Sequence, residues 1–376
     1  MTGTRKAKQG ARTGQGVKPI ILPFTDDSTL IFACRMRNLM RSHPAAPPIE
    51  MAWMSDDNAL SYRQMAQLLP EGPDRVLRRG DIAKLVSSRD VEAILTSRVY
   101  RPLGDALKKK LIKYRSGRAC VIAFLGGLDF FPEVGFERRR HCDGVYLFPR
   151  SELPRFRNWG ATMDRGWQEL GFGHPSFLHP DAVAAETTED TDRRDIYFFA
   201  QALSPSTKRG RLHMLRALAA MARAHPDRRV WIKLRHLPSE NRSHLHREKY
   251  DYPGLMAALP ECPDNLKLTA ESMDEALSKA ALGITCTSTA AVDVVRARVP
   301  CMVHLDFVDA YCDPLVEPMR RLFAQSALIT GLEDMLNLRA KNPNPDWLDD
   351  MFSTLSLADD VLNTIARFRD RPFQIP

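Results

Sequence analysis

Two kinds of segment alternate along the chain. Short, nearly continuous apolar runs are followed by longer stretches in which apolar residues return every three or four positions. Runs of the first kind fit buried parallel strands, and those of the second fit helices with one packed face. In the first half the pattern predicts strands at Pro19–Phe24, Ile49–Met54, Val91–Thr96, Ala119–Leu125 and Gly144–Phe148, with a further one at Pro175–Leu178. Helices are expected between them at Ser28–Arg41, Tyr62–Leu69, Pro102–Tyr114 and Glu152–Leu170. The segment Asp181–Arg194 then breaks the pattern, because it is polar and acidic and has no large apolar side chain after Val183. Alternation resumes with strands at Asp195–Ala200, Arg229–Arg235, Asn265–Thr269, Leu282–Cys286, Pro300–Leu305 and Ala327–Thr330. The intervening helices are Lys208–Ala224, Gly254–Leu259, Met273–Ala280 and Thr289–Arg298, and Trp347–Phe368 reads as one or two more. Two consecutive βαβα halves joined by a linker imply an α/β protein with two doubly wound, Rossmann-like domains, whose ligands belong at the carboxyl ends of the strands.

The expected division is a basic tail at 1–17, a first domain at 18–180, a linker at 181–194, a second domain at 195–345 and a helical segment at 346–376. The tail lacks the apolar core of a secretory signal and reads as disordered. No run reaches the roughly 20 apolar residues of a membrane-spanning helix. Seven scattered cysteines without a CxxC pair argue for reduced thiols and against structural zinc, hence for a cytoplasmic protein. The net charge of +8 is partly carried by the tail, through Arg5, Lys6, Lys8, Arg12 and Lys18. The mildly basic remainder suits anionic small molecules or an anionic membrane surface better than nucleic acid, since no basic stripe interleaved with aromatics accompanies it.

Candidate chemistry concentrates in the second half. In GITCTSTAAVDVVRARVPC, strand meets helix through Thr287, Ser288 and Thr289, whose hydroxyls and amides could hold an anion; plain helix capping explains the same residues. Asp293, a turn further on, is placed for a ribose hydroxyl or simply for solvent. In VWIKLRHLPSEN, Lys233, Arg235 and His236 gather where a strand ends, suited to a phosphate leaving group or to a solvent-facing strand end. Lys208 and Arg209 begin a helix, where cations oppose the helix dipole unless an anion answers them. In the first half, GGLDFFPEVG offers Asp129 as first choice and Glu133 as second for taking a proton from an acceptor hydroxyl. Asp26 and Asp27 are an equally placed rival pair that also fits capping. Two basic runs, Lys108–Lys110 with Lys113 and Arg138–Arg140, read as solvated surface or as a dock for an anionic lipid or polysaccharide.

The pairing of Lys233-Leu234-Arg235-His236-Leu237-Pro238 with Thr287-Ser288-Thr289-Ala290-Ala291 resembles the K-x-H-P and S-S/T motifs of bacterial GT-B transferases that build capsules and related polymers. These include sialyltransferases, Kdo transferases and CDP-glycerol glycerophosphotransferases. The stretch GGLDFFPEVG…RRHCDGVYL is similar to an uncharacterised bacterial family assigned to the glycosyltransferases. The chain departs from the motif in reading His-Leu-Pro rather than His-Pro. The resemblance implies a GT-B architecture, with His236 on the donor phosphate and Ser288 and Thr289 on the phosphate or base. It further implies chemistry without metal or cofactor. The resulting expectation is inverting transfer of a sugar, first a CMP-linked acidic one, from a nucleotide donor to a cell-surface polysaccharide or glycolipid. A polyol-phosphate transferase, a nucleotide-sugar epimerase and a non-catalytic binder of anionic polymer are the alternatives.

Overall fold

The computed structural model describes residues 17–57, 59–125, 132–162, 168–182, 193–240 and 247–371. The first half runs β1 (Ile20–Phe24), α1 (Asp27–Arg41), β2 (Ile49–Met54), α2 (Tyr62–Leu68), β3 (Arg75–Leu77), α3 (Asp81–Ser87) and β4 (Ala93–Thr96). It continues through α4 (Arg101–Lys108), α5 (Lys110–Lys113), β5 (Cys120–Phe124), α6 (Pro132–Arg138), β6 (Gly144–Leu147), α7 (Leu153–Thr162) and β7 (Glu169–Phe172). The second half comprises β8 (Asp195–Phe199), α8 (Lys208–Ala224), β9 (Val230–Lys233), α9 (Tyr252–Ala257), β10 (Leu266–Thr269), α10 (Met273–Lys279) and β11 (Ala280–Thr285). It ends with α11 (Ala290–Arg296), β12 (Cys301–Val303), α12 (Val316–Phe323), α13 (Leu332–Leu336), α14 (Pro345–Met351) and α15 (Leu357–Asp370).

The strands form two sheets, in the orders β3-β2-β1-β4-β5-β6-β7 and β10-β9-β8-β11-β12. Every strand pairing is parallel. In each sheet the strand order reverses beside the first strand, at β1/β4 and at β8/β11, which is where doubly wound sheets open a ligand crevice. The apolar runs explain the central strands: β1, β4, β5 and β6 are buried along their whole length.

One face of the first sheet carries Ile20, Leu22, Leu95 and Ile122. It is covered by Leu30, Ala33 and Met36 of α1 and by Leu357, Val361 and Ile365 of α15. The last helix of the chain therefore returns to the first sheet, and Tyr146 of β6 and Thr364 of α15 share a hydrogen bond of 3.1 Å between their hydroxyls. In the second sheet, Gly283 brings α11 tight onto β11. A Cβ there would stand 2.7 Å from both methyl carbons of Val294.

Several expected elements differ. Pro175–Leu178 and Ala327–Thr330 are not strands; each makes a single parallel bridge, Leu178 with Ser353 and Ile329 with Val303. The helix expected over Glu152–Leu170 is described as Leu153–Thr162, residues 163–167 lie outside the described residues, and the stretch Glu169–Phe172 is the edge strand β7 rather than helix. There Gly171 lies against the ring of Tyr146, leaving no room for a side chain. The short edge strand β3 and the helix α3 after it carried too little periodicity to be read. Residues 1–16 of the tail and 183–192 of the linker lie outside the described residues.

Candidate functional site

Along β9 the side chains alternate. Val230, Ile232 and Leu234 are buried, while Lys233 and Arg235 are on the other face. Lys233 is poorly solvated, and among the described residues its ammonium donates only to the Leu234 carbonyl, at 3.5 Å. Burial pushes its pKa down to about 8 against the pull of the Glu271 carboxylate. His236 is 2% exposed. Arg235 leaves the sheet altogether. Its Nε and Nη2 donate to the two carboxylate oxygens of Asp27, at 2.9 and 3.0 Å, and Nη2 also donates to Ser28 Oγ at 3.1 Å.

At the end of β11, Thr287 Oγ1 donates to Gln201 Oε1 at 2.9 Å, tying this turn to the end of β8. Ser288 Oγ accepts from the Ala290 amide at 3.2 Å, and Thr289 occupies the N-cap without a capping side-chain bond. The helix that follows has 7 residues, so hydroxyls and amides rather than a long dipole are what this turn offers. β9 and β11 flank β8, so their carboxyl ends lie two strand spacings apart, about 10 Å. Lys233 and His236 thus share an edge with Thr287, Ser288 and Thr289. Asp293 is turned to the first domain, where Arg35 of α1 lies 2.7 Å away.

The anion expected beside Lys208 and Arg209 is supplied by the chain itself. Thr207 caps α8 through the Gly210 amide at 3.0 Å and donates to Asp309 at 3.2 Å, and Arg209 pairs with Asp309 at 3.5 Å. Lys208 is exposed. Among the first-domain candidates, Asp129 and the glycine pair before it lie outside the described residues. Glu133 sits in the first turn of α6 and pairs with Arg155. Burial acts to raise its pKa, but its own backbone amide and Arg155 outweigh this and hold the carboxyl below its usual range. That makes Glu133 a poor proton acceptor. Asp26 follows the capping reading: it accepts from the Thr29 amide at 2.9 Å within a capping box and pairs with Arg98 at 2.9 Å.

Other residues of the cleft carried no signal in the sequence. Arg63 of α2 donates to both carboxylate oxygens of Glu240, at 3.0 and 2.7 Å, and to the Ala270 carbonyl at 3.1 Å. Ser61 donates to Glu240 at 2.7 Å. Burial would raise the Glu240 pKa, but Arg63, the Leu237 amide and Ser61 hold it down at about 2. The carboxyl ends of the two sheets therefore face each other across Arg235–Asp27, Arg63–Glu240 and Arg35–Asp293. The two basic runs of the first domain meet around a crevice of about 330 Å³ lined by Arg101, Lys108, Arg138, Arg140 and His141. Arg139 is not part of it; it is buried and donates to the carbonyls of Phe124, Gly135 and Ser97. No cluster of histidine, cysteine or acidic side chains able to hold a metal occurs among the described residues.

Two Rossmann-like domains whose strand ends confront each other over a charged cleft define a GT-B enzyme. Solved structures agree with that fold. A structure titled "putative UDP-N-acetylglucosamine 2-epimerase" from Listeria monocytogenes matches with a TM-score of 0.60 at 14% identity, covering 95% of this chain and 98% of the other. UDP-GlcNAc 2-epimerase from Neisseria meningitidis, bound to UDP-GlcNAc, matches at 0.58 and 11% identity, covering 93% and 100%. The enzyme from Methanocaldococcus jannaschii, in complex with UDP-GlcNAc and UDP, matches at 0.57 and 11% identity, covering 93% and 99%. No curated protein matches the sequence. The chain belongs to the family described as "Putative glycosyltransferase (DUF6716)", whose pattern matches residues 25–368, and it is a transferase of the GT-B glycosyltransferase type.

Proposed function

We propose that the protein transfers a sugar from a nucleotide-activated donor to a polysaccharide or glycolipid acceptor, with inversion and without a metal. One observation carries this reading: Lys233 and His236 at the end of β9 share one sheet edge with Thr287, Ser288 and Thr289 at the end of β11. A donor phosphate set between them gains a cation, an imidazole and several hydroxyl or amide donors. Those groups stabilise the charge that develops on the phosphate as the glycosidic bond breaks. Arg209, answered by Asp309, and the exposed Lys208 stand outside this set. The acceptor lies on the first domain, and closure of the cleft keeps water from the donor. The basic crevice between α4 and α6 supports an acceptor carried on an anionic surface.

A CMP-linked acidic sugar remains the favoured donor, and the UDP-sugar enzymes that share the fold make UDP the first competitor. Thermal unfolding in the presence of CMP, CDP, UDP and GDP tests the reading. A genuine product nucleotide at about 100 times its Kd adds about 2.7 kcal/mol and raises the melting temperature by several degrees. No shift with any of the four contradicts nucleotide-dependent transfer. His236→Ala is expected to abolish transfer and, because the side chain is buried, to lower the melting temperature somewhat while circular dichroism still shows a folded chain; near-normal turnover would remove His236 from the chemistry. Release of nucleotide with a rearranged sugar and no acceptor would instead indicate epimerisation.

A further inference from the structure

The arginines around the cleft are matched by acids, with one exception. Arg235 pairs with Asp27, Arg63 with Glu240 and Arg98 with Asp26. Arg296, in the last turn of α11, is partly buried and makes no hydrogen bond or ion pair among the described residues. The carboxylate nearest to it along the helix is Asp293, three residues back and on the same face. That carboxylate is given to Arg35 of the first domain at 2.7 Å, in a pair whose side chains are only 15% and 13% exposed. Helical side chains lean toward the amino end, which returns the Arg296 guanidinium toward this pair. Burial first, and then the guanidinium of Arg35, work against its charge, and Asp293 and Asp274 offset them only in part. Lys233, which leans mainly on Glu271, also draws on Asp293. Cations from β9, α1 and α11 thus share one carboxylate between the domains. An unpaired charge withdrawn from water costs stability, so this corner of the cleft is an anion short.

We infer that Arg296, beside Arg35, holds a second anionic group of the donor, apart from the phosphate set between Lys233 and Ser288. The inference rests on the donor reading given above. Asp293 lies four residues beyond Thr289, so the Arg35–Asp293 pair stands about 6 Å along α11 from the turn that receives the first phosphate. A planar guanidinium offers a carboxylate or a phosphate two parallel donors at once. Two kinds of donor carry such a group next to the first phosphate. One is an acidic sugar on a nucleoside monophosphate, through its carboxylate; the other is a nucleoside diphosphate sugar, through its second phosphate. A neutral sugar on a monophosphate has neither and leaves Arg296 unanswered. Arg296 is therefore a specificity-determining residue, selecting donors by their second negative charge.

Calorimetry on the full chain tests this with two pairs of ligands, CMP against CMP-N-acetylneuraminate and UMP against UDP, in the wild type and in Arg296→Met. The wild type is expected to bind the member with the extra anionic group more tightly in at least one pair. In Arg296→Met that preference should shrink about 10- to 100-fold, with CMP and UMP bound as before. Loss in the first pair identifies the carboxylate, and loss in the second identifies the phosphate. Arg296→Lys should keep part of the preference, because the cation remains. Without ligand, Arg296→Met should melt no lower than the wild type, since it removes a charge that has no acidic partner. A preference unchanged in Arg296→Met, or an equal loss for both members of a pair, would overturn the inference and leave the donor reading standing. So would a wild type that binds both members of each pair alike. A melting temperature well below that of the wild type would overturn it too, by showing that the guanidinium holds the fold. A wild type that binds none of the four ligands removes the donor reading and this inference together.

Discussion

At the scale of single residues, Lys233 is the group whose chemistry the fold alters most usefully. Its pKa is lowered from 10.5 to about 8 by burial, so the folded chain disfavours the charged form between those values. The unfolded chain binds the extra proton there, so this residue's contribution to stability rises as pH climbs from about 8 to about 10.5. A bound phosphate favours the ammonium and pulls the pKa back up. Nucleotide binding is therefore expected to take up a proton near pH 8 and to weaken above it. Titration calorimetry in buffers of different ionisation enthalpy measures that uptake, and Lys233→Met should abolish it. His174 behaves in the same sense. Buried among Phe32, Phe124, Phe148 and Phe177, its imidazole is pushed down to about 3 from 6.5. The folded protein resists a proton that the unfolded chain accepts, so stability falls as pH drops from about 6.5 toward 3. In His174→Phe the acid limb of a plot of melting temperature against pH should be shallower. Local chemistry of this kind was partly legible in the sequence. Lys233, Thr287 and Ser288 announced themselves because a polar cluster following an apolar strand stands at a ligand edge. Arg35, Arg63 and Glu240 did not, because each gains its meaning from a partner more than 170 positions away.

At the scale of elements, the strand–helix alternation was readable because buried parallel strands are apolar along their length. What escaped it were elements at the margins. β3 has three residues, and β7 is only half-buried, so neither carries a long apolar run. The packing of α11 on β11 depends on Gly283, which looked like any strand glycine until the methyls of Val294 were seen against it. Gly283→Ala forces the helix outward or Val294 into another rotamer, and a loss of about 1–3 kcal/mol is expected from chemical denaturation. Because α11 carries the Thr287–Thr289 turn at its start, the same variant should also weaken nucleotide binding. Lys108 and Arg138 illustrate the reverse case. Each run alone read as solvated surface or as a dock for an anionic lipid or polysaccharide, and only the fold brings them to one crevice. Lys108→Glu with Arg138→Glu is expected to lower co-sedimentation with phosphatidylglycerol vesicles severalfold, and to leave binding to neutral vesicles unchanged.

At the scale of the whole molecule, the cleft is crossed by Arg235–Asp27, Arg63–Glu240 and Arg35–Asp293. Partly exposed pairs weaken as salt shortens the Debye length from about 10 Å at 0.1 M. The radius of gyration measured by X-ray scattering is expected to grow between 0.05 and about 0.5 M salt, and nucleotide should reverse the change. An invariant radius would mean that packing, not charge, holds the domains together. The return of α15 to the first sheet has a further consequence for how this polypeptide can be divided. Beside the crossing at Phe177–His179 the chain passes back at Ser353, and the two passages are hydrogen-bonded to each other. The first half is thus completed by a helix that follows the whole second half along the chain, since the face of Ile20, Leu22 and Ile122 lacks the part of its cover that Val361 and Ile365 supply until that helix is made. A gene cut at the linker would yield an upstream piece with a bare apolar flank and a downstream piece carrying the missing lid. Each should aggregate alone, and the two should regain solubility when made together.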